Sequence, residues 1–456
     1  MREHCHTTKK AAQLAWAAIP LILSPLVQAE ITVFQKGGFE LQAGLQAAFG
    51  YFTTQDTNFG LGRIDVRSGA NTGDAEWQEA YLKPVLRAGY EVDRLGRLYA
   101  GVAQVATATI GDGDAGGFTD GSDDDIGLEQ AYIGWSSVEL IGDGETRDVL
   151  DISYGRQEFK IGDGFLIYDG DNDQLGKGAA WLSPRYSYKR AALLRINTQP
   201  VRGDVFYLEA DADQELTELI GINIERVSEE YGTLGLTYLH VFDATPLNFG
   251  VREGMHLVSG RVNELSFPQA PNLSLWAEYA VETGSGDDGA IDARAWYAEA
   301  HYALADWPWS PTLGYRYAQF SGGDLGATGE EDFDPLFYGW SRGWGTWYQG
   351  EITGEWLLFN SNQVNHMVHL STLPREDLTF GAIFYSFSLD ADNYFGTPVS
   401  ASHFADELNV YLDWAINERA TVSALYGAAF PGTAAEEAFQ DNKTYHLFEI
   451  AIVLSF

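Results

Sequence analysis

The sequence predicts an all-β fold, a transmembrane antiparallel β-barrel of about 18 strands. Three features predict it: an N-terminal export signal, many segments with an apolar residue at every second position, and a final apolar strand that ends on phenylalanine. Successive side chains of a strand point to opposite faces, so this alternation gives the sheet one apolar and one polar face. An apolar face in contact with lipid requires a closed sheet, because each unpaired backbone group costs several kcal/mol in hydrocarbon.

Residues 1–29 have the features of a signal peptide. Basic residues precede an apolar run that ends at the small-residue cleavage site Val27-Gln28-Ala29. We therefore expect residues 30–456 to form a β-barrel with long acidic external loops, located in the bacterial cell outer membrane. The only cysteine, Cys5, falls within the signal. Disulfides and thiol chemistry are therefore not expected in the exported chain.

The composition limits the partners of the protein. The formal net charge is −37, which argues against nucleic-acid binding because phosphate contacts need clustered Lys and Arg. After residue 29, no stretch approaches the roughly 18 apolar residues of a membrane helix. We expect contacts with outer-membrane lipids, with a transported substrate and, through the C-terminal strand, with the barrel-assembly machinery.

Alternation first appears in segment 39–51. One face carries Phe39, Leu41, Ala43, Leu45, Ala47, Phe49 and Tyr51. Similar segments begin near residues 78, 97, 127, 149, 188, 203, 217, 232, 254, 273, 291, 311, 346, 364, 377, 408, 420 and 443. These are about 19 candidates, whereas bacterial single-chain barrels have an even number of strands. We therefore predict 18 strands, with one false or merged candidate.

Acidic, glycine-rich segments separate some of these candidates. Segments 111–125, 283–290 and 321–335 bury too little apolar surface to form a core, so we expect them to be external loops in water. Short connections such as Asn417-Glu418-Arg419 are expected to be turns on the internal side.

The last segment alternates up to its final residue. Phe448, Ile450, Ile452, Leu454 and Phe456 share one face. A closing strand that ends on an aromatic residue resembles the signal by which outer-membrane barrels are recognised for insertion. The alternative is a soluble β-sandwich whose last strand ends in phenylalanine.

A barrel of about 18 strands is too wide for wall side chains to fill, so the lumen is expected to be water-filled or plugged by loops. Arginines at positions that the alternation assigns to the inner face are candidates for a pathway that binds carboxylate or phosphate. They are Arg87, Arg97, Arg195 and Arg316. Inward acids include Glu40, Glu225, Glu278, Glu351 and Glu355. The alternative is that these groups only cross-link the inner wall as ion pairs.

Two segments carry a family resemblance. Residues 154–164 contain a GRQE-x-x-x-GDG pattern that resembles the alginate-export family of outer-membrane barrels. Residues 333–339, followed by Gly345-Thr346-Trp347, look like another segment of that family. The resemblance implies an 18-stranded barrel that passes an anionic polysaccharide through an arginine-rich constriction gated by loops.

The resemblance makes Arg156 a candidate ligand for substrate carboxylates. Strict alternation, however, places Arg156 on the same face as Ile152 and Tyr154, which look lipid-facing. A β-bulge at Gly155 would re-aim the side chain.

Two other functions fit the fold. One is a diffusion porin for small nutrients or ions. The other is an outer-membrane enzyme of the lipase or deacylase type. Gly339-Trp340-Ser341-Arg342-Gly343 matches the G-x-S-x-G pattern, but no helix pattern follows it and no convincing Ser/His/acid set accompanies it. We expect no catalytic residues.

No cofactor is expected, although a loop-bound calcium ion stays open. Asp169, Asp171 and Asp173 imitate the start of a calcium loop, but Gln174 and Ala180 stand where glycine and glutamate are needed. His366 and His369 are three residues apart, so on a strand they point to opposite faces and do not share a metal.

Overall fold

The computed structural model describes most of the chain after residue 29. The described residues are 30–92, 95–137, 149–171, 173–198, 200–211, 216–228, 230–245, 252–286, 289–326 and 329–456. The predicted signal peptide lies outside them. No helix among these residues is both long and apolar enough to cross a membrane.

Eighteen strands in the described part of the chain form one closed antiparallel sheet, which confirms the predicted fold class. Each strand pairs with the next, and the last pairs with the first. The strands are β1 (Phe39–Gln55), β2 (Glu76–Val92), β3 (Gly96–Gly111), β4 (Asp124–Ser136), β5 (Leu150–Gln157), β6 (Tyr188–Asn197), β7 (Val201–Glu209), β8 (Glu218–Ser228), β9 (Gly232–Asp243), β10 (Met255–Phe267), β11 (Ala270–Gly286), β12 (Gly289–Ala303), β13 (Thr312–Phe320), β14 (Gln363–Arg375), β15 (Leu378–Ser388), β16 (His403–Asn417), β17 (Ala420–Pro431) and β18 (Tyr445–Ser455).

Helices are few and short in the described residues. They are the 3-10 turns Thr57–Gly60 and Leu175–Lys177, the π-helical segment Gly350–Leu358 and the α-helix Thr433–Phe439. All of them lie in connections at one end of the barrel, which we call the loop end. Short turns such as the one after Asn417 join the strands at the opposite turn end.

The predicted strand near residue 346 is wrong. That region belongs to the connection between β13 and β14, and it contains the π-helical segment. Glu351 and Glu355, which were expected on the inner face of a strand, lie on this segment instead. Every residue of the segment is buried, so its apolar residues serve packing on all sides. Periodicity alone does not separate this case from a buried strand.

Segment 283–290 also differs from the prediction. Its described residues belong to strands, because β11 continues to Gly286 and β12 starts at Gly289. Residues 287 and 288 lie outside the described part of the chain. Ser285 pairs with Ala290 at the tip of this hairpin. Small polar residues and glycine are tolerated here because strands that extend past the lipid have no need of an apolar face.

The outer face of the barrel is apolar, as the alternation predicts. Phe49, Leu86 and Ile222 face outward and are 47%, 47% and 46% exposed. Phe52, which faces inward on β1, is fully buried. Exposed aromatic residues lie near both rims, as in membrane barrels with two aromatic girdles. Those near the turn end include Tyr90, Tyr231, Tyr302, Trp309, Phe380 and Trp414.

The two chain ends meet at the closing seam. The backbone of Phe456 exchanges two hydrogen bonds of 2.8 Å with Leu45. Beyond this point, the short strand Ile31–Lys36 pairs with the first residues of β1. The N-terminal segment therefore satisfies backbone groups of β1 that β18 is too short to reach.

Two long connections fold into the lumen. Loop A, residues 158–187, follows the short strand β5, and loop B, residues 321–362, follows β13. With inward wall residues they form two apolar clusters. One contains Trp181, Trp344, Ile352, Phe52, Tyr385 and Leu425. The other contains Phe165, Phe337, Trp347, Leu219, Leu257 and Tyr297. The lumen is thus plugged by loops, the second of the two states that its width allows.

A charge on the outer face tests the membrane position. We expect Ile222→Lys, at the middle of β8, to destabilise the barrel by about 2–4 kcal/mol, because a cation at the bilayer midplane is costly. Tyr231→Lys, at the turn end, should cost only about 0–1 kcal/mol. Guanidinium unfolding in lipid vesicles measures both variants. Equal costs would contradict a midplane position for Ile222.

Candidate functional site

The two family-like segments meet inside the barrel. Tyr168 N donates to Phe337 O over 2.7 Å, and Gly339 N donates to Gly164 O over 3.1 Å. The indole Nε1 of Trp347 donates to Asp163 O over 2.9 Å. Loops A and B are therefore hydrogen-bonded to each other as one plug.

Arg342 of loop B fastens this plug to the wall. Its guanidinium binds both carboxylate oxygens of Glu299 on β12, over 3.1 and 2.8 Å. Its Nε lies 2.9 Å from Asp163 Oδ2 in loop A. The same guanidinium lies over the ring of Trp276, 5.0 Å from the centroid. Burial alone would lower the pKa of Arg342, but Glu299 and Asp163 outweigh burial and raise it.

Glu407 on β16 holds the π-helical segment. Its carboxylate accepts backbone hydrogen bonds from Ile352 N over 3.1 Å and from Thr353 N over 2.7 Å. Glu351 and Glu355 are buried beside it, and one carboxylate oxygen of each has no hydrogen-bond partner in the part of the chain that the structure describes. Burial, followed by the charges of nearby carboxylates, raises the pKa of both groups well above the usual range.

Three of the predicted arginines line the lumen towards the turn end. Arg87 pairs with Glu30 over 2.8 Å, and Arg97 lies 3.5 Å from Glu40. Arg195 lies 3.6 Å from Asp151, and Phe159 covers it. Their side chains are 32–41% exposed. We call this space, between the plug and the turns, the vestibule.

Arg316 and Glu278 lie deeper. Arg316 is buried, 3.6 Å from Glu299, and donates to Gly345 O over 2.5 Å. Glu278 is buried and accepts a hydrogen bond from Ser259. The structure therefore does not bring the predicted residues together as one ring: Arg316 supports loop B, Glu278 lies in the wall, and Glu351 and Glu355 lie in the plug.

Arg156 joins two loops. Its guanidinium binds Asp171 of loop A and Asp211 of the β7–β8 connection, each over 2.5 Å, and the side chain is 14% exposed. The pairing register shifts between Gly155 and Gln157, and Gly155 has a φ of 136°. The register shift shows that the bulge expected at Gly155 is present. Glycine occupies this position because other residues adopt such a backbone conformation only with strain.

Two of the three aspartates of the discounted calcium loop are paired with cations. Asp171 binds Arg156 and Lys177, and Asp173 binds Arg185. Across the described ranges, no group of three or more His, Cys, Asp or Glu side chains is placed to hold a metal ion.

The histidines and the serine of the discounted motifs also have clear positions. His366 binds Tyr315 on the outer face, and His369 binds Tyr411 inside the barrel, which confirms that they point in opposite directions. Ser341 of the G-x-S-x-G segment donates its hydroxyl to Asp163 O.

Sequence reasoning missed the residues at the centre of this site. The sequence marks Asp163 only as part of the family-like pattern, and Arg342 only as part of the G-x-S-x-G match. Glu299 and Trp276 were not singled out as site residues. The family-like segments were the one sequence feature that pointed to this site. The first contains Asp163 and the second ends at Trp347, and these two residues are hydrogen-bonded across the loops.

The family model for alginate export matches residues 94–448. The chain belongs to the alginate export family. Among solved structures, similar barrels include OccAB2 of Acinetobacter baumannii, with a TM-score of 0.54 and 12% identity over 92% of this chain and 99% of that one. OccK10 (OpdN) of Pseudomonas aeruginosa has a TM-score of 0.53 and 13% identity over 90% and 97%. At these identities the likeness shows the fold alone. No curated protein matches the chain significantly.

Family membership and the closed barrel identify an outer-membrane type of channel.

Removing the Arg342 guanidinium should loosen loop B. We expect Arg342→Gln to weaken docking of the plug by about 3–5 kcal/mol, because Glu299 and Asp163 lose a buried countercharge. The readouts are protease cleavage of loop B and the frequency of large-conductance openings in planar bilayers. Arg375→Gln, an exposed turn arginine paired with Asp377, serves as the control and should change neither. Identical cleavage of both variants would show that Arg342 does not hold the plug.

Docking of the π-helical segment should depend on pH. Glu351 and Glu355 have raised pKa values, so the docked segment binds more protons than a released one, and docking weakens as pH rises. We expect openings to become more frequent as pH rises above the usual titration range of a carboxyl group. The Glu351→Gln/Glu355→Gln double variant should flatten this dependence in bilayer recordings, whereas Glu376→Gln in an exposed turn should not. An unchanged pH profile of the double variant would contradict this assignment.

Proposed function

We propose that the protein is a gated outer-membrane channel for a sugar-derived substrate, in the first place an anionic polysaccharide or its oligomers. The observation that carries the proposal is the plug, since two loops bound to each other and to the wall leave no open pore of barrel width. Such a lumen suits selective passage better than general diffusion. Family membership supports a polysaccharide, and the vestibule supplies groups that bind carboxylates.

The vestibule has partly exposed cations within reach of solvent. Arg97 and Arg195 are 41% and 32% exposed, and each lies within 3.6 Å of a wall carboxylate. Lys160 of loop A is exposed, and its Nζ lies over the ring of Tyr168. A substrate carboxylate can replace a wall carboxylate in such a pair at little cost, because exposed ion pairs contribute only about 0–1 kcal/mol. Weak, repeated sites of this kind allow a polymer to bind and still move.

The overall negative charge is compatible with an anionic substrate, because several carboxylates in the lumen are already paired with arginine or lysine side chains. Asp151 and Glu225 bind arginines in the lumen, and Asp171 and Asp173 bind cations around loop A. The field inside the vestibule is therefore weaker than the net charge of −37 suggests. In this proposal the loop end faces outward and the vestibule opens to the periplasm.

A second candidate is a channel for small polar nutrients. The plug fills much of the loop-end half of the lumen. This favours the nutrient channel, since a narrow path admits short molecules more readily than a polysaccharide chain. Both candidates use the same barrel and plug. They differ in whether long acidic oligomers enter the vestibule.

Planar-bilayer conductance separates the candidates. For the proposed function, we expect oligomers of uronic acids added on the vestibule side to block the current. Arg195→Ala should weaken the block by about three- to tenfold, which corresponds to losing one partly exposed charged contact. Arg375→Ala, outside the lumen, is the matched control. Block by small neutral solutes alone, with no effect of acidic oligomers, would favour the nutrient channel.

A further inference from the structure

A cavity of about 400 Å³ lies between the plug and one side of the wall. Gly162 and Asp163 of loop A and Arg342 of loop B form its upper side, and Trp276 lines it from β11. The remaining lining residues belong to the turn-end halves of β7 to β10, including Arg202, Glu225, Thr233, Asn263, Glu264 and Ser266. Its volume falls in the range of small-ligand pockets, about 300–1,000 Å³.

Two buried acceptors on this lining have no hydrogen-bond donor among the described residues. Oδ1 of Asp163 and Oδ1 of Asn263 make no hydrogen bond, although both atoms are shielded from solvent. Asp163 itself is only 6% exposed. A buried acceptor without a partner is unfavourable, so the cavity is complementary to a ligand that brings hydrogen-bond donors.

Asp163 is held in place for this task. Its other carboxylate oxygen accepts from the Tyr297 hydroxyl over 3.1 Å and lies 2.9 Å from Arg342 Nε. Its backbone carbonyl accepts from Trp347 and Ser341. The free oxygen is therefore fixed before a ligand arrives, which lowers the entropy cost of binding.

The arginines around the cavity already have carboxylate partners. Arg202 binds Glu225, and Arg342 binds Asp163 and Glu299. Arg261, fully buried behind the lining, also binds Glu225. Glu264 adds an exposed carboxylate to the rim. A carboxylate on the ligand would thus meet guanidiniums that are engaged and acids that repel it, whereas uncharged hydroxyls meet free acceptors.

The shape agrees with this chemistry. Trp276 supplies an apolar wall, and polar groups surround it at several points of the lining. A hydroxyl-rich ring has an apolar face and a rim of donors that match such a wall and such acceptors. Peptides with charged ends and metal ions fit this combination less well.

We propose that the cavity is a subsite for one or two uncharged, hydroxyl-rich sugar units of the transported substrate. This inference rests on the proposed function, because it specifies the sugar class read by the same lumen. Uncharged units bind in the cavity, and acidic units pass along the arginines of the vestibule. The substrate class is thereby a saccharide that carries neutral units, alone or between acidic ones.

Block of channel current by matched neutral and uronic-acid oligosaccharides of equal length tests the proposal. Wild-type protein is expected to be blocked by the neutral oligosaccharide. Asn263→Leu, which removes a free acceptor, should weaken this block by about three- to tenfold. Thr233→Phe, which fills the cavity from β9, should weaken it at least as much. Both variants should leave block by the uronic-acid oligomer within about twofold of wild type.

Gln46→Leu is the matched control, because Gln46 is an inward-facing amide on β1 outside the cavity. It should leave block by both sugars unchanged. Block by the neutral sugar that is equal in wild type, Asn263→Leu and Thr233→Phe would overturn the subsite and leave the proposed function standing. A wild-type channel that no saccharide blocks would overturn the proposed function and the subsite with it.

Discussion

The whole structure depends on the absence of hydrogen-bond partners in hydrocarbon. Backbone groups of a membrane-embedded strand must pair within the protein, so the sheet has to close and each strand has to keep an unbroken apolar face towards lipid. This requirement fixes the outward side chains of all the barrel strands. The inward side chains are free of it, and their character changes along the barrel axis. Near the loop end they are largely apolar and pack with the plug, and near the turn end they are mostly polar.

The plug uses charge to fix position. Glu299 and Glu407 are wall carboxylates that bind, respectively, a guanidinium and two backbone amides of loop B. Buried ion pairs add little to stability once the cost of desolvation is counted, but they penalise every arrangement that leaves one charge alone. The loops are therefore held in one docked position without being held irreversibly. That combination suits an element that has to leave the lumen when substrate passes.

Sequence reasoning predicted the wall well and the lumen poorly, and the reason is physical. Lipid imposes the same alternation on every strand, so the strand starts were predictable from local patterns, including the last strand with its terminal Phe456. The false strand near residue 346 arose where a buried loop segment imitates that pattern. Inside the barrel, position depends on contacts between distant residues, such as Asp163 with Ser341, 178 positions apart in the chain. The alternation along the strand placed Arg195 on the inner wall, but it could not identify Asp151 as the partner of Arg195.

The closing seam has a consequence for biogenesis. The partner of the first barrel strand is the final segment of the chain, from His446 to Ser455, with Phe456 paired to Leu45. Without this pairing the sheet would have two unpaired edges, each able to join another strand. A helper that shields one edge during export would prevent misassembly. Removal of the segment from His446 to Ser455 would leave one side of the first barrel strand without its partner.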